Sequence, residues 1–255
     1  MLEALRVVIT GASSGIGEAL AREYAKQGAI LCLIARRAGT LAKLKDTLPT
    51  TCLTYAADVR DAPSMQQAAG DFINQQGCPD VVIANAGISR GTLTEHPQDL
   101  EAFQAIFDTN VMGMVKTFQP YLAQMREQKR GTLVGIASIS GFRGLPGASA
   151  YSASKAAAIS YLESLRVELH GSGVKVLTVC PGFIATPMTA NNPYPMPFII
   201  SAEAAAKKII SAIALRRQFL IIPWQMAILG RILKILPLWL YDREFSKAPR
   251  KPRDS

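Results

Sequence analysis

The chain has 255 residues, 49% of them hydrophobic and 18% charged, with 28 lysines and arginines against 19 aspartates and glutamates for a net charge of +9 with histidines neutral. This length suits one well-buried core, and the composition excludes a disordered chain. The positive balance fits an anionic cofactor, an anionic surface or simple solubility, and the absence of a recognition-helix signature or arginine–aromatic tract argues against nucleic acid.

Residues 5–10 read as a strand, with Val7, Val8 and Ile9 continuous and apolar. A glycine-rich turn follows, then a helix over 16–27 ended by Gly28. Strands are expected at 29–35, 52–56 and 81–84, and helices at 40–48 and 62–76, the last stopped by Gly77. A long helix is expected over 99–126, a strand over 132–137, a second long helix over 150–170 and a strand over 174–179. The proline- and asparagine-rich stretch 191–198 reads as a loop or lid over the sheet's carboxyl end. Ser201 would cap a helix over 201–217 with Glu203 in its first turn, and 219–222 would form a last strand. Unbroken apolar strands alternating with helices predict an α/β fold, a doubly wound parallel sheet of the Rossmann type, covered on both faces.

Cys32, Cys52, Cys78 and Cys180 form no C-x-x-C pair, and three lie in or beside predicted strands. They read as buried, reduced thiols of a cytoplasmic protein. With His96 and His170 the only histidines, no metal site is expected. Met1 is followed almost at once by the first strand, so no signal peptide is expected.

The segment T-G-A-S-S-G-I-G runs from Thr10 to Gly17 between the first strand and helix. Gly11, Gly15 and Gly17 would let the chain turn sharply and approach a pyrophosphate, while Ser13, Ser14, Ile16 and the helix N-terminus would line it. The second strand ends in Ala35-Arg36-Arg37. A ribose 2′-hydroxyl calls for an acidic residue there, whereas a 2′-phosphate suits guanidinium, so Arg36 and Arg37 favour NADP(H) over NAD(H). Asp58, just after the third strand, would either accept from the adenine amino group or cap a turn, and Val59 would pack on the base.

These motifs, with Ala84-Asn85-Ala86-Gly87, Asn110, Ser138, the Y-S-A-S-K segment carrying Tyr151 and Lys155, and Pro181-Gly182, resemble the short-chain dehydrogenases/reductases over about residues 5–186. The family usually shows two asparagines after the fourth strand; Ala84 replaces the first and Asn85 is kept. The resemblance implies a seven-stranded sheet with the cofactor across its carboxyl edge. It implies that Asn85, Ala86 and Gly87 steady the fourth strand, and that Pro181, Gly182, Ile184 and Thr186 wrap the nicotinamide end. It further implies a homodimer or homotetramer built through the two long helices.

Reducing a ketone needs hydride at carbon and a proton at oxygen. Tyr151 is the expected proton donor, and Lys155, one helical turn away, would lower its pKa and hold the nicotinamide ribose. Ser138, at the end of the fifth strand, would donate to the substrate oxygen, and Ser140 is assigned a loop role. Asn110 is a weak helix former inside the long helix. The resemblance implies that it bends the helix and positions a water beside Lys155; the alternative is a helix-surface asparagine.

Residues 226–241 are unusually apolar, interrupted by Arg231, Lys234 and Pro237. Those interruptions exclude a spanning helix, which wants about 20 apolar residues. An interfacial helix on an anionic surface and a helix covering the cleft or a partner subunit both remain. From Phe219 onward, seven basic residues stand against three acidic ones, Asp242, Glu244 and Asp254. The expectation is a single oxidoreductase domain over 1–222 with a helical extension of the same domain over 223–255. It would transfer hydride between NADP(H) and an apolar, lipid-like carbonyl or alcohol, with peripheral membrane contact through 223–241. The alternatives are an NAD-dependent alcohol dehydrogenase and a non-catalytic dinucleotide-binding protein at a membrane surface.

Overall fold

The structure, a computed structural model, describes residues 4–253; Met1 and Asp254, which entered the expectations above, lie outside the described residues. Strands β1 (Arg6–Thr10), β2 (Ile30–Ala35), β3 (Cys52–Ala56), β4 (Val81–Ala84), β5 (Gly131–Ile136), β6 (Val174–Pro181) and β9 (Phe219–Ile222) form one sheet in the order β3-β2-β1-β4-β5-β6-β9. Every pairing is parallel. The order reverses between β1 and β4, and such a switch point opens a crevice at the strands' carboxyl ends.

Alternate strand residues serve opposite faces. Val7 and Ile9 point into one core with Leu20 and Tyr24 of α1 (Gly15–Lys26), Leu41 of α2 (Ala38–Asp46) and Ile209 of α7 (Ala202–Ala214). Val8 points into the other with Phe72 of α3 (Ala62–Gln76), Phe118 of α5 (Gly113–Glu127) and Leu162 of α6 (Ser149–Glu168). Each large side chain so buried stabilises the fold by about 1.5–3 kcal/mol. Both faces being covered explains why these strands read as unbroken apolar runs.

Two departures from the expected elements matter for function. The helix expected over 99–126 is α4 (Asp99–Phe107), a π-helical turn at Asp108–Met112, and α5. An inserted π turn is a frequent companion of functional sites. A two-stranded parallel ladder, β7 (Ile184–Ala185) with β8 (Ile200–Ser201), was not anticipated because each strand is only two residues long. It ties together the two ends of the expected lid. The carboxyl-terminal extension is two helices, α8 (Trp224–Ile235) and α9 (Leu238–Phe245), separated at Pro237. Ser201 caps α7 as expected, accepting from Ala204 N–H at 3.1 Å. All four cysteines are buried and free.

Candidate functional site

The turn after β1 is locked to the end of β4. Thr10 Oγ1 accepts the N–H groups of Asn85 and Ala86 at 3.1 and 3.3 Å. Asn85 Nδ2 donates to the carbonyls of Thr10 and Gly11 at 3.0 and 3.2 Å. Gly11 and Gly15 take φ of 64° and 59°, a region that favours glycine. A Cβ on Gly17 would lie 2.4 Å from the Gly11 carbonyl oxygen, so α1 can start this close to the turn only with glycine there. Ser14 caps α1 without a side-chain hydrogen bond. The first-turn residues Gly15 and Ile16 line the crevice.

Nearly every residue singled out in the sequence lines this one cleft, from Gly11, Ser13, Ser14, Gly15 and Ile16 through Arg36, Arg37, Asp58 and Val59 to Asn85, Ala86 and Gly87. Ser138, Tyr151, Lys155, Pro181, Gly182, Ile184 and Thr186 complete it. The exceptions are Gly17, packed behind the turn, and Asn110, just beneath the wall. Ile88, Thr109, Pro187, Met188 and Thr189 also line the cleft and were missed. They carry no chemistry of their own that a sequence reading would flag.

At the β2 end, Arg37 Nη2 donates to Ser13 Oγ at 3.0 Å, joining the basic strand end to the glycine turn. Asp58 is engaged by its neighbour: Arg60 donates its backbone N–H at 2.9 Å and Nη2 at 2.8 Å. Asp58 thus caps the turn through Arg60 while still lining the cleft, and Arg60 holds its carboxyl below the usual range.

At the opposite end, Ser138, Tyr151 and Lys155 converge. Ser138 Oγ donates to the Pro181 carbonyl at 3.4 Å and accepts Ser140 N–H at 3.1 Å, at the start of a single 3-10 turn over Ile139–Gly141. Lys155 is 5% exposed, donates to the Ile136 carbonyl at 2.8 Å and sits 5.7 Å from the Tyr151 ring centre. Burial pushes Tyr151 up to about 12, with the neighbouring Ser138 acting in the opposite direction. Burial also brings Lys155 down to about 8. Both shifts have desolvation as their largest cause, which disfavours the charged form of each group.

Asn110 is 1% exposed, which removes the reading of it as a surface residue. The π turn carries it inward. Its Oδ1 accepts from Ile88 N–H at 2.8 Å, and Nδ2 donates to the Ile88 carbonyl and to Ser154 Oγ, both at 3.0 Å. Ser154 was missed, although it stands beside Lys155 in Y-S-A-S-K. Asn110 and Lys155 meet across Gly87: a Cβ there would lie 3.1 Å from Asn110 Oδ1 and 3.6 Å from Lys155 Nζ.

This arrangement is matched by the family model described as short chain dehydrogenase, over residues 6–195. The chain belongs to the short-chain dehydrogenase family. It is 39% identical over 238 residues to a protein of Myxococcus xanthus named an uncharacterized oxidoreductase, covering 92% of this chain and 94% of that one. It is 33% identical over 239 residues to 11-beta-hydroxysteroid dehydrogenase 1A of Arabidopsis thaliana, covering 85% of this chain and 68% of that one. Among solved structures it resembles an alcohol dehydrogenase of Thermococcus sibiricus complexed with 5-hydroxy-NADP, with TM-score 0.78, 26% identity and 86% and 96% of the two chains covered. It also resembles a short-chain dehydrogenase/reductase of Burkholderia phymatum in complex with NAD, with TM-score 0.80, 25% identity and 99% of each chain covered.

As a short-chain dehydrogenase, the chain is an oxidoreductase of a family that uses nicotinamide cofactors, and its cleft fits one. At Gly11 and Gly17 a Cβ would meet backbone within 3 Å, and the cleft runs from the Arg36–Arg37 corner to Lys155. Among the described residues, no helix is long and apolar enough to cross a membrane, and no group of three or more histidine, cysteine, aspartate or glutamate residues could hold a metal.

Proposed function

We propose that this chain transfers hydride between NADP(H) and a carbonyl or secondary alcohol, with Ser138, Tyr151, Lys155 and Asn110 as its reactive set. The observation that carries the reading is the meeting of Ser138 and Tyr151 with a buried Lys155 in the nucleotide cleft. The reduced nicotinamide supplies hydride when bound. Tyr151, neutral with a pKa of about 12, is poised to donate its proton to a carbonyl oxygen. Ser138 orients that oxygen by donating a second hydrogen bond. Lys155 steadies the charge left on Tyr151 and holds the ribose hydroxyls, and Asn110 supports a water that returns the proton. Reversed, the same groups accept a proton from an alcohol.

The phosphate preference is supported by Arg36 and Arg37 at the cleft mouth, with Arg37 braced on Ser13. No carboxylate stands at the end of β2 to favour a free ribose hydroxyl. An apolar, lipid-like ketone is supported by the exposed Phe198 of the lid, with exposed Met188 and Ile199 flanking it, and by the similarity to a hydroxysteroid dehydrogenase. Residues 1–222 act as one domain, and the extension belongs to it: Met226 of α8 packs so closely on Gly182 that a Cβ there would lie 2.6 Å from Met226 Cγ. Exposed Trp224, Ile228, Ile232, Ile235, Leu238 and Trp239, with Arg231 and Lys234 beside them, suit peripheral contact with an anionic membrane from the cytoplasmic side. Exposed Leu100 and Val167, on α4 and α6, suit a homo-oligomer built through those helices.

The test is oxidation of NADPH, with NADH alongside, by purified protein over ketones from small to steroid-sized. Turnover favouring NADPH and growing with apolar bulk is expected. NADPH binding with no turnover across the panel would overturn the catalytic reading.

A further inference from the structure

The carboxyl-terminal tail does not trail away from the body. It crosses the two loops that frame the substrate side of the cleft. Pro252 carbonyl accepts Gly91 N–H at 3.0 Å, and Lys251 Nζ donates to Ser89 Oγ at 2.9 Å. A Cβ on Gly91 would lie 2.4 Å from the Lys251 carbonyl oxygen, and one on Gly147 2.7 Å from Arg250 Cβ. Both crossings therefore pass over glycines. Arg253 makes a fork: its Nε and Nη2 donate to the two oxygens of Asp99 at 2.8 and 3.0 Å. The Asp99 side chain is 8% exposed and that of Arg253 28%, so the pair is part-buried, and its two charge-assisted hydrogen bonds hold it in one geometry.

What Asp99 holds in turn leads to the reactive groups. Its Oδ2 also accepts Leu93 N–H at 2.8 Å. The adjacent Thr92, 2% exposed, donates its N–H to the Gly147 carbonyl at 3.0 Å and accepts Ala150 N–H on Oγ1 at 3.2 Å. Ala148, at the N-cap of α6, provides no side-chain cap. Thr92 thus satisfies an orphan N–H of the first turn of α6 from a distant loop, one residue before Tyr151. The extension also grips the loop joining Ser138 to Tyr151. Arg143 Nη1 donates to the Leu233 and Leu236 carbonyls at 2.9 and 3.0 Å, its guanidinium lies 4.3 Å over the Tyr241 ring, and Tyr241 donates to the Gly144 carbonyl.

We propose that the tail over residues 250–253 is a positioning clamp for the substrate end of the cleft, with Arg253 acting through Asp99 and Thr92 on the helix start that carries Tyr151. The effect on turnover rests on the function proposed above; the effect on the loops does not. Arg253 is a positioning residue, remote from the nucleotide end, so its loss separates substrate use from cofactor binding.

The experiment compares the full chain with Arg253→Ala, Arg253→Lys and Asp99→Asn. It reads amide hydrogen exchange over 88–93 and 147–151, NADPH affinity by fluorescence, and KM and kcat for whichever ketone of the panel turns over. Arg253→Ala is expected to speed exchange in both segments and raise KM by about tenfold, the loss of a charge-assisted pair, with NADPH affinity held within about twofold. Arg253→Lys should recover part of both effects, and Asp99→Asn should resemble Arg253→Ala. Unchanged exchange over 88–93 overturns the clamp, whether or not any ketone is reduced. So does a fall in NADPH affinity in step with the rise in KM, which would mean general loosening. Faster exchange in Arg253→Ala, with no ketone turned over by the unmodified chain, supports the clamp and overturns the proposed reaction instead.

Discussion

The carboxamide of Asn110 accepts a hydrogen bond from Ile88 N–H at 2.8 Å and returns one to the Ile88 carbonyl at 3.0 Å. A side chain here does what a neighbouring strand would do for the chain leaving β4, and it holds Gly87 against Lys155. The π turn at Asp108–Met112 places it there. Asn110→Leu leaves both Ile88 groups without a partner and should cost about 2–4 kcal/mol of stability, read by denaturant unfolding. Asn110→Asp keeps the acceptor for Ile88 N–H and should cost less. Equal losses in the two variants would mean that the paired bond to Ile88 is not what matters.

Tyr151→Phe keeps the ring and removes only the proton donor. Ketone reduction should fall by about 100- to 10,000-fold, with NADPH affinity within about twofold of the unmodified chain. Ser138→Ala should lose about 100-fold or more, the scale of one positioned donor. Stopped-flow measurement of NADPH oxidation separates these from binding defects. A Phe variant that turns over normally would remove Tyr151 from the chemistry.

Burial holds the Lys155 ammonium to a pKa of about 8, below its ordinary 10.5. Between those values the unfolded chain binds more protons than the folded one, so this group's contribution to stability rises with pH across the window. Below about pH 8 the buried charge costs about 3 kcal/mol, from 1.36 kcal/mol per pKa unit. Lys155→Met removes that cost. Its stability advantage over the unmodified chain should be largest below pH 8 and shrink toward pH 10. Urea titrations at pH 7 and 9.5 measure the difference, and one that stays constant would contradict a charged, desolvated Lys155.

Arg36 and Arg37 bear on cofactor choice separately from catalysis. Replacing Arg36 by Asp sets a carboxylate where a 2′-phosphate would lie. The ratio of kcat/KM for NADPH over NADH should fall by about 10- to 100-fold, the worth of a charge-assisted hydrogen bond. Arg37→Ala should lower the same ratio and also free Ser13, whose Oγ it now engages at 3.0 Å. An unchanged ratio in both variants would leave the phosphate preference without a basis.

Two glycines should respond to alanine in opposite directions. At Gly17 the new Cβ would meet the Gly11 carbonyl at 2.4 Å and Asn85 Nδ2 at 2.6 Å, so Gly17→Ala should destabilise by about 1–3 kcal/mol. At Gly39, inside α2, nothing lies within 4 Å. Gly39→Ala should therefore stabilise by about 0.5–1 kcal/mol. Thermal melts of the pair check both.

Much of this fold was legible in the chain. Val7 to Ile9 and Val81 to Ile83 are unbroken apolar runs because helices cover both faces of a parallel sheet, and local composition records that burial directly. Glycines and serines between strand and helix, and a tyrosine and lysine one helical turn apart, are local patterns too, and the structure brings them to one cleft. The π turn was not legible, because it differs from an α-helix by one residue in register and leaves the apolar periodicity almost intact. Nor was the β7–β8 ladder, whose two-residue strands are too short to show any alternation.

By itself, then, the sequence determined the strand and helix order and the glycine-rich turn between β1 and α1, since each depends on residues near one another in the chain. Only the tertiary structure decided that Asn110 faces inward to Ile88, that burial raises the Tyr151 pKa and lowers that of Lys155, and that Arg253 reaches Asp99. Those outcomes depend on desolvation and on hydrogen bonds between segments up to 154 residues apart, and both exist only once the chain has packed.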